Sequence, residues 1–158
     1  MTLDDVRALR RSGQHDEAHA VAVQLAAQAP HDAQVQFETA CTCDYLGLEA
    51  DAVPYYQAAL RGTLSPDDRQ SALLGLGSTY RTLGRYADAE ATLLQGVREF
   101  PDANAIKVFL AMALHNNGRS KQAVELLLKL LAATSGDAAI QDYRRAIELY
   151  AEDIDRTW

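Results

Sequence analysis

A chain of 158 residues is one domain's worth of sequence, enough to bury roughly two-thirds of the surface its unfolded form exposes. Apolar residues at 48% and charged residues at 23% are ordinary for a globular protein in water. The net charge of -7, from 15 Lys and Arg against 22 Asp and Glu, argues against nucleic acid or an anionic membrane as main partner, since both select basic surfaces. Asp4, Asp5, Arg7, Arg10 and Arg11 crowd the first dozen residues, so no secretory leader is read there. No apolar run approaches the roughly 18 residues of a membrane span, and a cytoplasmic location is the default expectation.

Gly13, Gly47, Gly84 and Gly118 each follow one helix-like run and precede another, at spacings of 34, 37 and 34. Five residues after each lies an alanine: Ala18, Ala52, Ala89 and Ala123. This period predicts four helix–turn–helix units in one domain. The first, about 2–31, holds a short polar helix over 3–11, a second helix from about Asp16, and Pro30 as its stop. The second, 32–65, opens on the N-cap Asp32 and carries Val35, Phe37 and Ala40. Its second helix, about 50–61, tolerates Pro54 early in its course, and residues 62–65 hold the extra three residues of the longer spacing.

The third unit, 66–101, starts with Ser65, Pro66, Asp67 and Asp68, a cap, a proline and first-turn acids. Leu73, Leu76, Tyr80 and Leu83 share one helix face, and Gly84 ends that helix. Ala89, Leu93, Val97 and Phe100 mark the return helix, stopped by Pro101, with Gly77 and Ala89 letting the two backbones approach. The fourth unit, 102–136, runs through Ile106, Leu110 and Leu114 to Gly118 and back over about 121–133. Residues 137–157 then predict a single capping helix with a stripe of Ile140, Tyr143, Ile147, Tyr150 and Ile154. The total is nine helices and no strand.

The third unit reads Leu73-x2-Leu76-Gly77-x2-Tyr80, then Ala89-x3-Leu93 and Pro101, and so resembles a tetratricopeptide repeat. Leu73 and Leu93 replace aromatics of that signature, and Lys107 replaces one in the fourth unit. The resemblance, closest to short stand-alone bacterial members, implies an all-α right-handed solenoid whose first helices line a concave groove. It implies non-catalytic protein–protein interaction with a peptide or partner segment in that groove, and no cofactor or metal. The family's groove positions fall on Leu3, Arg7, Arg10 and Arg11, then Gln34, Phe37, Cys41, Asp44 and Tyr45. They continue on Ser71, Leu74, Ser78, Arg81 and Thr82, then Ala105, Val108, Met112, His115 and Asn116. Phe37→Ala or Tyr45→Glu is expected to abolish partner capture while the helical circular dichroism stays intact. The alternative is that Phe37, Leu74, Val108 and Met112 merely line a covered interior. The Lys and Asn with which chaperone-binding members hold a peptide's C-terminus are replaced by Leu3 and Arg7, Phe37 and Cys41, Leu74 and Ser78.

Two other classes compete. Self-association as a homodimer would use Tyr150, Trp158 and apolar groove residues, with the basic first helix opposite the acidic last one; stand-alone members of this kind are often dimers. Zinc hydrolysis would use His15 and His19, four apart as in H-E-x-x-H, but Asp16 stands where the basic glutamate should be. A surface histidine pair fits the repeat register. Cys41 and Cys43 point about 200° apart on a helix, so they cannot pair with each other, and Cys43 is expected in the core. Ser78 follows Gly75-Leu76-Gly77 but sits mid-helix, and no nucleophile, base and oxyanion set assembles.

Overall fold

Four glycines set the bends. Gly13, Gly47, Gly84 and Gly118 take φ of 80°, 68°, 73° and 77°, the left-handed region that residues with a Cβ avoid. At each bend the residue after the glycine donates its N–H to a carbonyl five residues back: Gln14 to Leu9, Leu48 to Cys43, Arg85 to Tyr80, Arg119 to Leu114, all at 2.8–2.9 Å. One helix-ending motif thus recurs four times. The computed structural model describes residues 1–157, with ten helices and no strand among them. They are α1 (Leu3–Arg11), α2 (His15–Gln28), α3 (Ala33–Tyr45), α4 (Glu49–Arg61), α5 (Pro66–Thr82), α6 (Tyr86–Glu99), α7 (Asn104–Asn116), α8 (Ser120–Thr134), α9 (Ala138–Asp142) and α10 (Arg144–Tyr150).

Each helix packs on its chain neighbours from α1 through α8, and the first helices also touch one another, α1 with α3, α3 with α5, and α5 with α7. No pair of second helices packs to the same degree. Closer spacing on the first-helix side makes α1, α3, α5 and α7 the inner layer. Ala18, Ala52 and Ala89 are fully buried and Ala123 nearly so, which lets the paired helices approach. A Cβ on Gly77 would stand 2.5 Å from Leu93 Cγ, so the α5–α6 contact requires the glycine.

The core is in two parts. A continuous apolar cluster runs from Phe37 and Tyr56 through Leu76, Leu93, Ile106 and Leu110 to Ala123. Val6, Ala18, Val21 and Ala22 form a separate cluster inside the first hairpin. Between them α3 presents buried polar residues. Gln36 donates to the carbonyls of Ala26 and Ala29, and Thr39 to that of Ala22. Thr42 meets His19 Nδ1 at 3.0 Å. The first hairpin therefore meets α3 through these hydrogen bonds, its own apolar cluster staying separate from the main one.

The cap departs from the single predicted helix. It breaks at Tyr143 (φ -101°, ψ 7°) into α9 and α10, and residues 151–157 form turns and coil. The physical reason is attachment at both ends: Gln141 Nε2 bonds the Ala132 and Ser135 carbonyls, while Lys121 and Lys129 of α8 hold Asp153 and Glu152 at 2.5 and 3.0 Å. A straight helix could not satisfy both. Ala151 becomes the buried residue, and Tyr143 and Tyr150 of the expected stripe are exposed.

Where α4 meets α5, the Arg69 guanidinium bonds the Leu60 carbonyl and both carboxylate oxygens of Glu99, at 2.6 and 2.9 Å. The bidentate arginine, with Gln95, lowers the Glu99 carboxyl to about 2. A lowered carboxylate adds stability above its unfolded value near 4.5, and that stability is lost as pH falls towards 2. Both side chains are about 30% exposed, so solvent screening leaves a contribution of about 1 kcal/mol. Glu99→Gln is expected to lower the urea midpoint at neutral pH, with the gap closing between pH 4.5 and 2. A gap constant across that window would refute the assignment.

Candidate binding groove

At the N-terminal end of the inner layer, Glu38 is 6% exposed and accepts from Arg7 Nε at 2.7 Å and Arg10 Nη1 at 2.5 Å. Arg10 also lies 4.9 Å over the ring of Tyr45, whose other neighbour is the His15 ring, stacked at 4.9 Å and 10°. Tyr45 is still 59% exposed. The amide of Gln34, oriented by its network, accepts from Arg7 and donates to Asp68, both at 3.1 Å, joining three hairpins. This end is a polar recess bounded by Arg7, Arg10, Arg11, Glu38 and Tyr45.

In the middle of the layer the side chains turn structural. Phe37 is 7% exposed and packs against Tyr56, ring centroids 6.4 Å apart. It is a core residue and not a groove anchor, because α3 rotates it towards α4. Asp44 accepts from Tyr56 Oη at 2.6 Å and Thr79 Oγ1 at 3.1 Å; burial raises its carboxyl, and these two hydrogen bonds partly offset that. The Tyr56 hydroxyl sits where a Cβ on Gly75 would be, 2.5 Å away. Cys41 is half-buried and Cys43 fully so, and burial pushes their thiols up to about 11 and about 12, which keeps both protonated and unreactive. Leu74 and Ser78 are half-buried, and Leu74 packs against the main core.

At the C-terminal end a cleft of about 350 Å³ opens between α5, α7 and α8. Arg81, Met112, His115 and Asn116 line it, joined by Val124 and Leu127 of α8. Met112, Val124 and Leu127 are 38–42% exposed. His115 Nδ1 meets Ser120 Oγ at 2.9 Å. Val108 is half-buried in the adjacent turn of α7. The predicted groove residues thus separate into an N-terminal group, a C-terminal group and a middle that includes covered structural side chains.

His15 and His19 do not converge. His15 stacks on Tyr45 and His19 points to Thr42, with Cys43 Sγ 3.9 Å away. No group of three or more His, Cys, Asp or Glu with metal-holding geometry occurs among the described residues. Trp158, invoked for self-association, lies outside the described residues; Tyr150 is half-exposed.

Sequence reading missed Glu38, which looks like one of many helix-surface acids until the fold brings two arginines to it. It also missed Val124 and Leu127, which sit in an apolar run that reads as core. No helix among the described residues is long and apolar enough to cross a membrane.

A family model described as Tetratrico peptide repeat matches residues 33–154, from the first residue of α3 through the cap. An uncharacterized protein of Aquifex aeolicus (strain VF5) is 35% identical over 72 residues, 46% of this chain. The chain spans about 10% of that relative's length. With the matching bends and the inner layer of first helices, the family match over most of the chain places it: this protein belongs to the tetratricopeptide repeat family, whose repeats generally mediate protein–protein interaction and are typically non-catalytic.

Proposed function

We propose that the chain is a scaffold that holds a segment of a partner protein along the inner face of its first helices. One observation carries the reading. Four side-chain atoms shielded from solvent have no hydrogen-bond partner among the described residues: Arg10 Nε, His15 Nδ1, Arg81 Nε and Asn116 Oδ1. Nearly all buried polar groups in folded proteins are bonded, and leaving one unmade costs about 1–3 kcal/mol. These four stand at the two ends of the groove, two beside Tyr45 and two in the α5–α7–α8 cleft. A bound segment that turns these side chains outward would supply the missing partners.

The test is selection of a displayed random-peptide library on the immobilised chain. Tyr45→Glu and Met112→Glu alter exposed side chains at the two ends, so each is expected to keep its helical circular dichroism. Each is expected to cut peptide recovery about tenfold, as loss of an interface anchor does. Undiminished recovery by both would defeat the groove.

Self-association is a second reading, favoured by the exposed stripe of Val124, Leu127 and Leu131 together with Leu149 and Tyr150. Light scattering across concentrations separates the two: a mass that stays monomeric removes the dimer.

A further inference from the structure

We infer that the α5–α7–α8 cleft recognises a partner's internal acidic residue, Asp or Glu, flanked by an aliphatic side chain. This deepens the groove reading and rests on it.

The charge arrangement is the starting point. Arg7, Arg10 and Arg69 are half-buried and each has a carboxylate: Glu38 for the first two and Glu99 for the third. Arg81 is half-buried too, with its Nε shielded from solvent, yet its side chain has no ion-pair or hydrogen-bond partner among the described residues. In a chain of net charge -7, the cleft it lines contains no Asp or Glu. The wall also carries the start of α8, which has no side-chain cap and no acid in its first turn. The other second helices, α2, α4 and α6, all have first-turn acids. Arg81 and the α8 start therefore make the cleft a cationic spot without its counter-charge.

The remaining groups narrow the ligand. Asn116 Oδ1 is a shielded acceptor without a donor, and a turn of the side chain into the cleft would bring it to a main-chain N–H. Met112, Val124 and Leu127 offer an exposed apolar wall in a space large enough for an aliphatic side chain. A carboxylate for Arg81, an N–H for Asn116 and an aliphatic group for the wall occur together on adjacent residues of a peptide. A simple alkyl carboxylate lacks the N–H.

The experiment is fluorescence anisotropy on the full chain with short labelled Gly/Ser peptides carrying a central Leu-Glu, Leu-Gln or Leu-Lys. Leu-Glu is expected to bind about tenfold more tightly than Leu-Gln, the scale of a hydrogen bond to a charged group. Arg81→Gln is expected to erase that preference and Arg81→Glu to turn it towards Leu-Lys. Asn116→Asp, which places a carboxylate beside Arg81, is expected to weaken Leu-Glu. Should an Arg81 variant lose its helical signal, salt titration of the wild type decides, because Leu-Glu binding must then weaken with salt. Equal binding of Leu-Glu and Leu-Gln, a preference that survives in folded Arg81→Gln, or salt-independent affinity overturns the inference. So does failure of all three peptides, whereas the library selection reports on the groove separately.

Discussion

Glu38→Ala is expected to destabilise the chain by about 2–3 kcal/mol and to loosen the first hairpin ahead of the rest. The carboxylate is 7% exposed at its side chain and neutralises Arg7 and Arg10, which are 36% and 22% exposed at theirs. Removing it leaves two partly desolvated guanidinium groups facing each other. The cost stays below that of a fully buried pair because water reaches both arginines. Selectivity follows from the divided core. Val6, Ala18, Val21 and Ala22 cohere among themselves, and their link to α3 includes the polar set of Gln36, Glu38, Thr39 and Thr42. Hydrogen exchange followed by mass spectrometry should show residues 3–28 losing protection while α5 to α8 keep theirs. Uniform loss along the chain would show that the first hairpin does not open by itself.

Phe37→Ala is expected to cost about 3–4 kcal/mol. The ring fills the start of the continuous core against Tyr56, and truncation leaves a cavity that α3 and α4, held by Ala40, Ala52 and Ala59, cannot close. Tyr45→Ala, on the same helix, is expected to cost at most about 1 kcal/mol, since it removes only an exposed stack with Arg10 and His15. Urea denaturation of the two variants makes the comparison. A wild-type midpoint for Phe37→Ala would return that residue to the groove. The resemblance placed both positions on the binding face, and the fold separates them.

How much of this was legible in the residues can be argued from particular positions. Each of the four bends needs a positive φ within a few residues of a helix end, and Gly13, Gly47, Gly84 and Gly118 announce them. Gly77 and the alanines five residues past each bend announce close helix contacts for the same kind of reason: only a small residue fits. The site was less legible. Arg7 and Arg10 read as available interface cations, but their partner Glu38 lies 31 and 28 residues away, and pairing over such separations depends on how hairpins stack. Arg81 reads like them, and of the half-buried arginines it is the one whose carboxylate never arrives among the described residues.

Local steric demands, then, were written in the chain: where it must turn, where backbones must touch, which positions repeat, and hence its family. Which charges meet, where the cap bends at Tyr143, and whether Val124 and Leu127 face oil or water were decided by packing alone. Those outcomes depend on what a neighbouring segment covers, and the cap, tied to α8 through Gln141 of α9 and through Glu152 and Asp153 after α10, leaves Val124 and Leu127 exposed.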